Sequence, residues 1–489
     1  MSPTLILAFV ALYFVALLTI AWITGRKADN AGYFLGNRNS PWPVVAFGLI
    51  GDSLSGVSFI SVPGKVATQQ FGYFQVVLGY VLGYIIIIHV LLPLYYRMQL
   101  TSIYGYLGTR FDPVTQRTGS ALFLLSRLFG SAARLYLAVT VFQSFVFDRL
   151  RLPGADHDGV PFWLTATAVI GLILVYTLKG GIKTLVWTDT FQSAFLVLGV
   201  VLTVFFITRA LGWGPVQLIR EIWHSPLSKV VVTDWRTSGF FWKQFLSGAG
   251  FALVMTGLDQ NSMQKNLYAF SGVMLLVNLS ILVLGALLTI YAQTKGIGLP
   301  ERTDQLFPLL ALQHLELAAG VAFVIGLTAA TFNSADSVLT TLTTSFCVDF
   351  LRFGKGGDSD EAAALVLRRR VHLIFAVALL GVMLLLPMVP SRYAVIDIVL
   401  KVAGYTYGPL LGLFALGLFT KVRTGGWVVP VVAIWSSILC AILEAGARSW
   451  LHGYEIGFET LLLNALFTAG GLAMFGQFQL GRRLLSLDE

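Results

Sequence analysis

Carboxylates and hydroxyl groups interrupt several long apolar runs of this sequence, and their spacing defines the chemistry available to it. In the run 317–350 four small residues fall on one helix face, within about 60° of each other: Ala330, Ser334, Ser337 and Thr341, with Asn333 at one edge. Side-chain oxygens of this kind can bind a hard cation, which prefers oxygen ligands. Hydrogen bonding between helices also explains Ser and Thr at such positions. It does not explain the adjacent carboxylate, Asp336.

A second interruption lies in the run 42–63, where small residues surround Asp52. These are Gly48, Gly51, Ser53, Ser55, Gly56 and Ser58. Such a segment can leave the helical conformation and direct backbone carbonyl groups at a cation, as the discontinuous helices of transporters do. Close helix packing accounts for the glycines and serines, but not for Asp52. The pattern therefore predicts a broken helix.

Three further ionisable groups lie at membrane depth. Asp189 falls about one turn inside the run 185–208, where it either caps the helix N-terminus or faces a cation. Arg127 and Arg134 are seven residues apart on one face of the run 118–147. Arg127 can extend its charge to the membrane interface, whereas Arg134 is too central for this and requires a partner.

Lys401 lies in the run 393–419 and must find an anion there. Asp397 is four residues away, a spacing that allows an ion pair on one helix face. Alternatively, Lys401 faces a cavity and meets Asp52, Asp259 or a carboxylate of a bound solute.

The composition places all these groups in a membrane protein. Of the 489 residues, 56% are hydrophobic and 12% are charged, whereas a soluble domain carries about a quarter charged residues. The net charge of +9 does not indicate nucleic-acid binding, because the basic residues are scattered singly between apolar runs. Cys347 and Cys440 lie in apolar runs and predict no disulfide framework. No metalloprotease or nucleophile-elbow motif is visible, so we expect no enzyme.

Thirteen runs are long enough to cross a membrane. They are 4–25, 42–63, 71–96, 118–147, 160–178, 185–208, 238–262, 272–294, 317–350, 370–389, 393–419, 425–446 and 457–477. No basic residue precedes the first run, which we interpret as a retained helix and not as a signal peptide. Most Lys and Arg residues between the runs fall on one side, which predicts an outside N-terminus and a cytoplasmic C-terminus.

Six segments, in this order, resemble motifs of the sodium/solute symporter family, which includes the sodium–glucose, sodium–iodide and bacterial sialic acid transporters. They are GDSLSGVSFISVPG (51–64), LTSIYGYL (100–107), KGGIKTLVWTD (179–189), DQNSMQK (259–265), ATFNSADS (330–337) and GYTYGP (404–409). The resemblance covers nearly the whole chain.

The resemblance implies an all-α integral membrane protein with an inverted-repeat bundle around a site at mid-depth. Five helices (42–208) would be followed by five related helices (238–419), with an extra N-terminal helix (4–25) and two C-terminal helices (425–477). Residues 1–489 would form a single transporter domain. The first and sixth core helices would be broken, and the sixth contains the small-residue segments 247–250 and 256–257.

The resemblance also implies the site residues. The main sodium site would use carbonyl groups of Gly51, Leu54 and Ala330 and side chains of Asn333 and Ser334. A second cation site would use Asp189, Asn333, Asp336 and Ser337. The substrate would contact Asp52, Ser55, Gly56, Ser58, Asp259, Gln260 and Lys401. The arginine that holds the carboxylate in sialic acid relatives matches Gly130, one turn from Arg134.

We therefore expect a sodium-coupled symporter that imports a small polar solute, a sugar or polyol, by alternating access. Na⁺ would be the coupling ion, and the protein would lie in the lipid bilayer of the plasma membrane, or the inner membrane of a bacterium, with no nucleic-acid partner. The alternatives are a proton-coupled carrier in which Asp189 or Asp336 titrates, and a sodium symporter for an organic or sugar acid. A transporter-like sensor and an intramembrane enzyme are more remote.

Overall fold

The computed structural model describes residues 1–25, 47–48, 51, 54–94, 103–150, 159–177, 182–255, 264–351, 361–388 and 394–485. Within these ranges the chain is helical and contains no β-strand, which confirms the predicted all-α architecture. The helices of eight residues or more are α1 (Pro3–Gly25), α2 (Gly56–Gln69), α3 (Phe74–Ile86), α4 (Ile103–Arg110), α5 (Pro113–Phe145), α6 (Phe162–Thr177), α7 (Ile182–Ala210), α8 (Pro215–His224), α9 (Phe241–Met255), α10 (Gln264–Thr294), α11 (Leu317–Asp349), α12 (Glu361–Leu385), α13 (Val395–Phe419), α14 (Val428–Trp450) and α15 (Thr460–Leu485). Shorter helical turns are Ile87–Leu91, Phe147–Arg149, Pro226–Ser228, Thr303–Gln305, Leu306–Leu309, Leu310–His314 and Leu386–Met388.

In the part of the chain that the structure describes, nine helical segments are long and apolar enough to cross a membrane. Their burial separates the centre of the bundle from its edge. The span in α11 is 78% buried, whereas those in α1, α12 and α14 are 22%, 28% and 28% buried. The outer helices expose large apolar side chains, such as Leu12, Ile374 and Trp435, as lipid contact requires. The total of thirteen spans stays a prediction.

Helix α2 lies at the centre of the bundle. It packs against α5, α10, α11 and α13, and all its residues from Gly56 to Val66 are buried. Two glycines allow this close approach. A Cβ at Gly64 would lie 2.1 Å from the carbonyl oxygen of Thr303, and a Cβ at Gly285 of α10 would lie 2.5 Å from that of Pro63. Helix α2 is thus held between α10 and the turn Thr303–Gln305.

Helices α3 and α9 pack through small residues on facing surfaces. A Cβ at Gly79 of α3 would lie 2.0 Å from the carbonyl oxygen of Phe245, and a Cβ at Gly248 of α9 would lie 2.3 Å from that of Val76. The segment 247–250 is therefore part of a continuous helix, in which small residues serve helix packing. It does not interrupt the sixth core helix, and segment 256–257 lies outside the described residues.

Candidate functional site

The first core helix breaks where the sequence predicts it. Gly51 is helical, Leu54 and Ser55 are not, and α2 begins at Gly56. Ser55 has an extended backbone with φ −91° and ψ 174°. Leu54 and Ser55 are only 1% and 2% exposed, so the break lies inside the protein, where backbone groups at helix ends can bind a ligand. Asp52, at the centre of the motif, lies outside the described residues.

The break faces the oxygen-rich stripe of α11. A Cβ at Gly51 would lie 2.2 Å from Asn333 Nδ2 and 2.4 Å from the hydroxyl oxygen of Ser193 on α7, so a larger residue would displace both side chains. On the same stripe the Ser334 hydroxyl donates a hydrogen bond to the Ala330 carbonyl at 3.0 Å. The structure therefore brings Gly51 to Asn333 and Ala330 to Ser334. Carbonyl, amide and hydroxyl oxygens of this kind suit a hard cation.

The residues predicted for a second cation lie on α7 and α11, which pack against each other. Asn333 Nδ2 donates to the Asp189 carbonyl at 3.2 Å. Asp336 is fully buried, and its Oδ1 accepts a hydrogen bond from the Ser337 N–H at 2.6 Å. The helix-cap interpretation of Asp189 is wrong, because α7 begins seven residues earlier, at Ile182.

Sequence reasoning missed two residues of this region. Gln192 is fully buried and lies three residues after Asp189, a spacing that puts both on one face of α7; this spacing was the signal that could have found it. Tyr13 of α1 is 5% exposed and interacts electrostatically with Asp336 and Asp189. A single tyrosine in an apolar run gives no comparable signal.

A cavity of ≈ 110 Å³ lies beside the helix break, between α2, α3, α5, α9, α10 and α13. Its polar lining consists of Ser55, Ser58, Tyr73, Tyr80, Tyr84, Arg127, Arg134 and Asn278. Ser55 and Ser58 are predicted substrate residues that the structure places at this cavity. Gly56 faces elsewhere, since a Cβ there would lie 3.2 Å from the Thr331 hydroxyl. Asp259 and Gln260 lie outside the described residues.

Two arginines of α5 form one wall of the cavity. Arg127 Nη2 donates to the Met255 carbonyl at 2.7 Å, and its guanidinium lies 5.5 Å from the centre of the Phe123 ring. Arg134 interacts electrostatically with Tyr73 and Tyr80. The cavity wall is therefore cationic and rich in hydroxyl groups.

The predicted roles of Lys401 need correction. Its Nζ lies 2.5 Å from Glu444 Oε1 of α14, and its side chain is 53% exposed. The Asp397–Lys401 pair is wrong as well, because Asp397 pairs with Lys65 of α2 at 2.5 Å. The reason is helix rotation: Leu400 lines the cavity, and the next residue points about 100° away from it. Lys401 therefore lies outside this cavity.

Known proteins provide an independent comparison. The profile of the sodium:solute symporter family matches residues 33–426. The sodium/sialic acid symporter of Proteus mirabilis is 23% identical over 98% of this chain and 96% of its own length. The sodium-coupled monocarboxylate transporter 2 of Danio rerio is 24% identical over 88% of this chain and 70% of its own. A solved structure of a Na⁺-coupled sialic acid symporter, substrate-bound and outward-open, matches with a TM-score of 0.76 at 19% identity, covering 97% of this chain and 98% of the other. The chain therefore has the same fold as the solved sialic acid symporter.

Proposed function

The chain belongs to the sodium:solute symporter family, and on that premise we propose that it couples sodium entry to the import of a small solute that carries a carboxylate. Sodium-coupled solute symport follows from the family and its relatives. The carboxylate selects the organic-acid alternative over the neutral sugar or polyol, and the two arginines of the cavity are the observation that supports it.

A cationic cavity wall selects for an anion. Arg127 and Arg134 present planar, permanently charged donors that match the two oxygens of a carboxylate. Ionisable groups at membrane depth commonly mark the pathway of a transported solute. Helix α2 also begins at the cavity, at Gly56, and the N-terminus of a helix carries a partial positive charge. The arginines and the N-terminus of α2 therefore both favour an anionic ligand.

The expectation of a neutral sugar or polyol depended on Lys401 and Asp259 as cavity residues. Lys401 is bound to Glu444 at the outside of α13, and Asp259 lies outside the described residues. Among the described residues, no Asp or Glu lines the cavity. Hydroxyl groups from Ser55 and Ser58 remain available for further polar groups of the cargo, so both organic acids and sugar acids fit this proposal.

Coupling follows from the position of the helix break. A sodium ion between Gly51 of the broken helix and Asn333, Ala330 and Ser334 of α11 would fix the break in one conformation. The first turn of α2 and the cavity belong to the same break, so sodium binding and carboxylate binding would favour each other by the same free energy. A single Na⁺ with a monocarboxylate is electroneutral, and a second cation would make transport electrogenic.

Thermal unfolding of the purified protein against matched pairs of compounds tests the proposal. Suitable pairs are lactate with lactamide and gluconate with sorbitol, each with Na⁺ and with choline. We expect only the acids to raise the unfolding temperature, and only with Na⁺. A ligand at one hundred times its Kd stabilises by about 2.7 kcal/mol. Stabilisation by the neutral compounds and not by the acids would overturn the proposal.

The variant Arg134→Gln tests whether the Arg134 guanidinium binds the carboxylate of the cargo. Loss of a charge-assisted hydrogen bond costs about 1.5–3 kcal/mol, so we expect the Kd of an acid to rise roughly 10- to 100-fold. Arg220→Gln, at an exposed position of α8, is the matched control and should bind normally. Equal acid affinity in Arg134→Gln and the control would argue against the proposed role.

A further inference from the structure

Several buried polar atoms around Asp189 and Asp336 lack a hydrogen-bond partner in the described part of the chain. Both polar atoms of the Gln192 amide are in this state, as are Asn333 Oδ1 and the Tyr13 hydroxyl. Gln192 and Asn333 are 0% and 1% exposed. A buried polar group without a hydrogen-bond partner destabilises the folded protein, so three such side chains together indicate that a ligand binds between them.

These atoms come from three helices that meet at one place. Gln192 lies on the Asp189 face of α7, and Asn333 precedes Asp336 on α11. Tyr13 of α1 lies beside Gln192, although no hydrogen bond of standard geometry joins them. It also interacts electrostatically with both carboxylates. The unsatisfied atoms and the acids therefore lie close together where α1, α7 and α11 pack against each other.

Helix α1 is fixed in this position by ring contacts. Tyr13 packs against Phe191 and Phe195 of α7, with ring centres 5.8 and 6.1 Å apart. Phe14 meets Phe332 of α11 edge to face at 4.4 Å. These contacts anchor α1 on both helices that carry the acids, so the Tyr13 hydroxyl is held in place beside them.

We propose that Gln192 Oε1 is a ligand of the second cation, and that the Tyr13 hydroxyl of α1 positions the carboxylates around it. Carboxylate, amide and hydroxyl oxygens without nitrogen or sulfur ligands suit an alkali cation such as Na⁺. The N-terminal helix, which lies outside the two five-helix repeats predicted from the sequence, thereby becomes part of ion coupling. The inference rests on the sodium coupling described under Proposed function, but not on the identity of the cargo.

Gln192→Leu removes the ligand, and Tyr13→Phe removes only the hydroxyl. Sodium binding to the purified protein without cargo, measured by titration calorimetry, should show two sites in the wild type. We expect Gln192→Leu to lose the second site and Tyr13→Phe to weaken it about 10-fold, as loss of an orienting partner does at other metal sites. In proteoliposomes that transport an acid, the charge moved per cargo molecule should fall by one in Gln192→Leu.

Two controls separate ion binding from packing. Phe14→Leu alters the contact of α1 with Phe332 but removes no oxygen, and should keep both sodium sites. Ser334→Ala should weaken the main site and leave the second one intact. A single sodium site in the wild type, or two unchanged sites in Gln192→Leu, would overturn the proposal. An effect of Phe14→Leu equal to that of Tyr13→Phe would refute the role of the hydroxyl. If no acid binds, the proposed cargo is contradicted. The sodium titration without cargo still tests the second cation site independently.

Discussion

The ion pair between Lys65 and Asp397 should be a strong stabilising link between α2 and α13. Their charged atoms are 2.5 Å apart, and the side chains are only 6% and 24% exposed. The pair lies at the end of the bundle that the sequence predicts to be outside. Asp304 contacts the start of the same helix α13, where its Oδ2 accepts a hydrogen bond from the Val395 N–H at 3.1 Å. The relevant perturbations are Lys65→Met, Asp397→Asn and the two together.

The size of the effect follows from the geometry. At 2.5 Å and an effective dielectric constant of about 20, the attraction between two unit charges is about 7 kcal/mol. Desolvation of both groups offsets much of this attraction, and removal of one partner of a buried pair typically costs about 3–5 kcal/mol. We expect a cost in that range for each single substitution, since each leaves a buried charge without its partner. The double substitution removes both charges and should cost at least 2 kcal/mol less than the sum of the two.

Unfolding in mixed micelles of a mild detergent and dodecyl sulfate measures the free energy of unfolding of the wild type, the two single variants and the double variant. The pair Arg448–Glu455 is the control. Its side chains are 77% and 34% exposed, so its coupling energy should be below about 1 kcal/mol. Equal coupling energies for the two pairs, or single effects at Lys65 and Asp397 that simply add, would refute the argument from burial.

Two other predictions concern local packing and capping. Gly64→Ala would place a Cβ 2.1 Å from the Thr303 carbonyl oxygen and should destabilise by about 1–3 kcal/mol, whereas Gly381→Ala, with no atom within 4 Å, should be neutral or slightly stabilising in thermal unfolding. Asp112 caps α5, with its Oδ1 2.7 Å from the Thr115 N–H, so Asp112→Ala should cost about 1 kcal/mol at pH 7. Burial raises the pKa of Asp112, but hydrogen bonds from Thr115 and from the Gly426 N–H lower it more, so that the pKa lies below its usual value. This contribution is therefore present above the unfolded pKa and is lost as pH falls through the folded pKa.

Each of these predictions has an outcome that contradicts it. Equal unfolding temperatures for Gly64→Ala and Gly381→Ala would show that the turn Thr303–Gln305 moves away from the added Cβ without a loss of stability. For Asp112, the variant Asp112→Asn keeps one oxygen for the Thr115 N–H but places an amide nitrogen, which cannot accept, towards the Gly426 N–H, and should therefore recover only part of the stability at pH 7. A difference between wild type and Asp112→Ala that persists unchanged from pH 7 to pH 3 would exclude the carboxylate as its source.

The broken helix and the polar stripe could be predicted because they are local patterns. The small residues around Gly51 and the spacing from Ala330 to Ser337 follow one chain segment each, and the structure places Gly51 beside Asn333 of the stripe. The family resemblance then supplied the topology. The pair Asp397–Lys401 was wrong for a physical reason: a four-residue spacing allows an ion pair but does not exclude competing partners on neighbouring helices.

The ion-pair partner of a charged residue such as Lys401 depends on how its helix is rotated against the neighbouring helices. The sequence of one segment does not determine this rotation. Glu444 lies in another apolar run, 43 residues after Lys401, and also accepts a hydrogen bond from the Tyr405 hydroxyl. Tyr13 was missed for the same reason, because it is one polar residue in a long apolar helix and its relation to Asp189 exists only once α1 and α7 have packed together. Gln192 differs, since its spacing from Asp189 on α7 was visible in the sequence.

On the proposed function, the two arginines would also explain how this cavity binds an acid without an arginine at position 130. Gly130 lies between them on α5, three residues after Arg127 and four before Arg134, so all three share one helix face. A Cβ at Gly130 would lie 3.9 Å from Val399, a residue that lines the cavity. Side chains on a helix lean towards its N-terminus, so the long side chain of Arg134 is expected to extend towards the turn that contains Gly130. Arg134 would thus supply, from one turn further along, the charge that an arginine at 130 would supply, and the glycine adds no side chain between them.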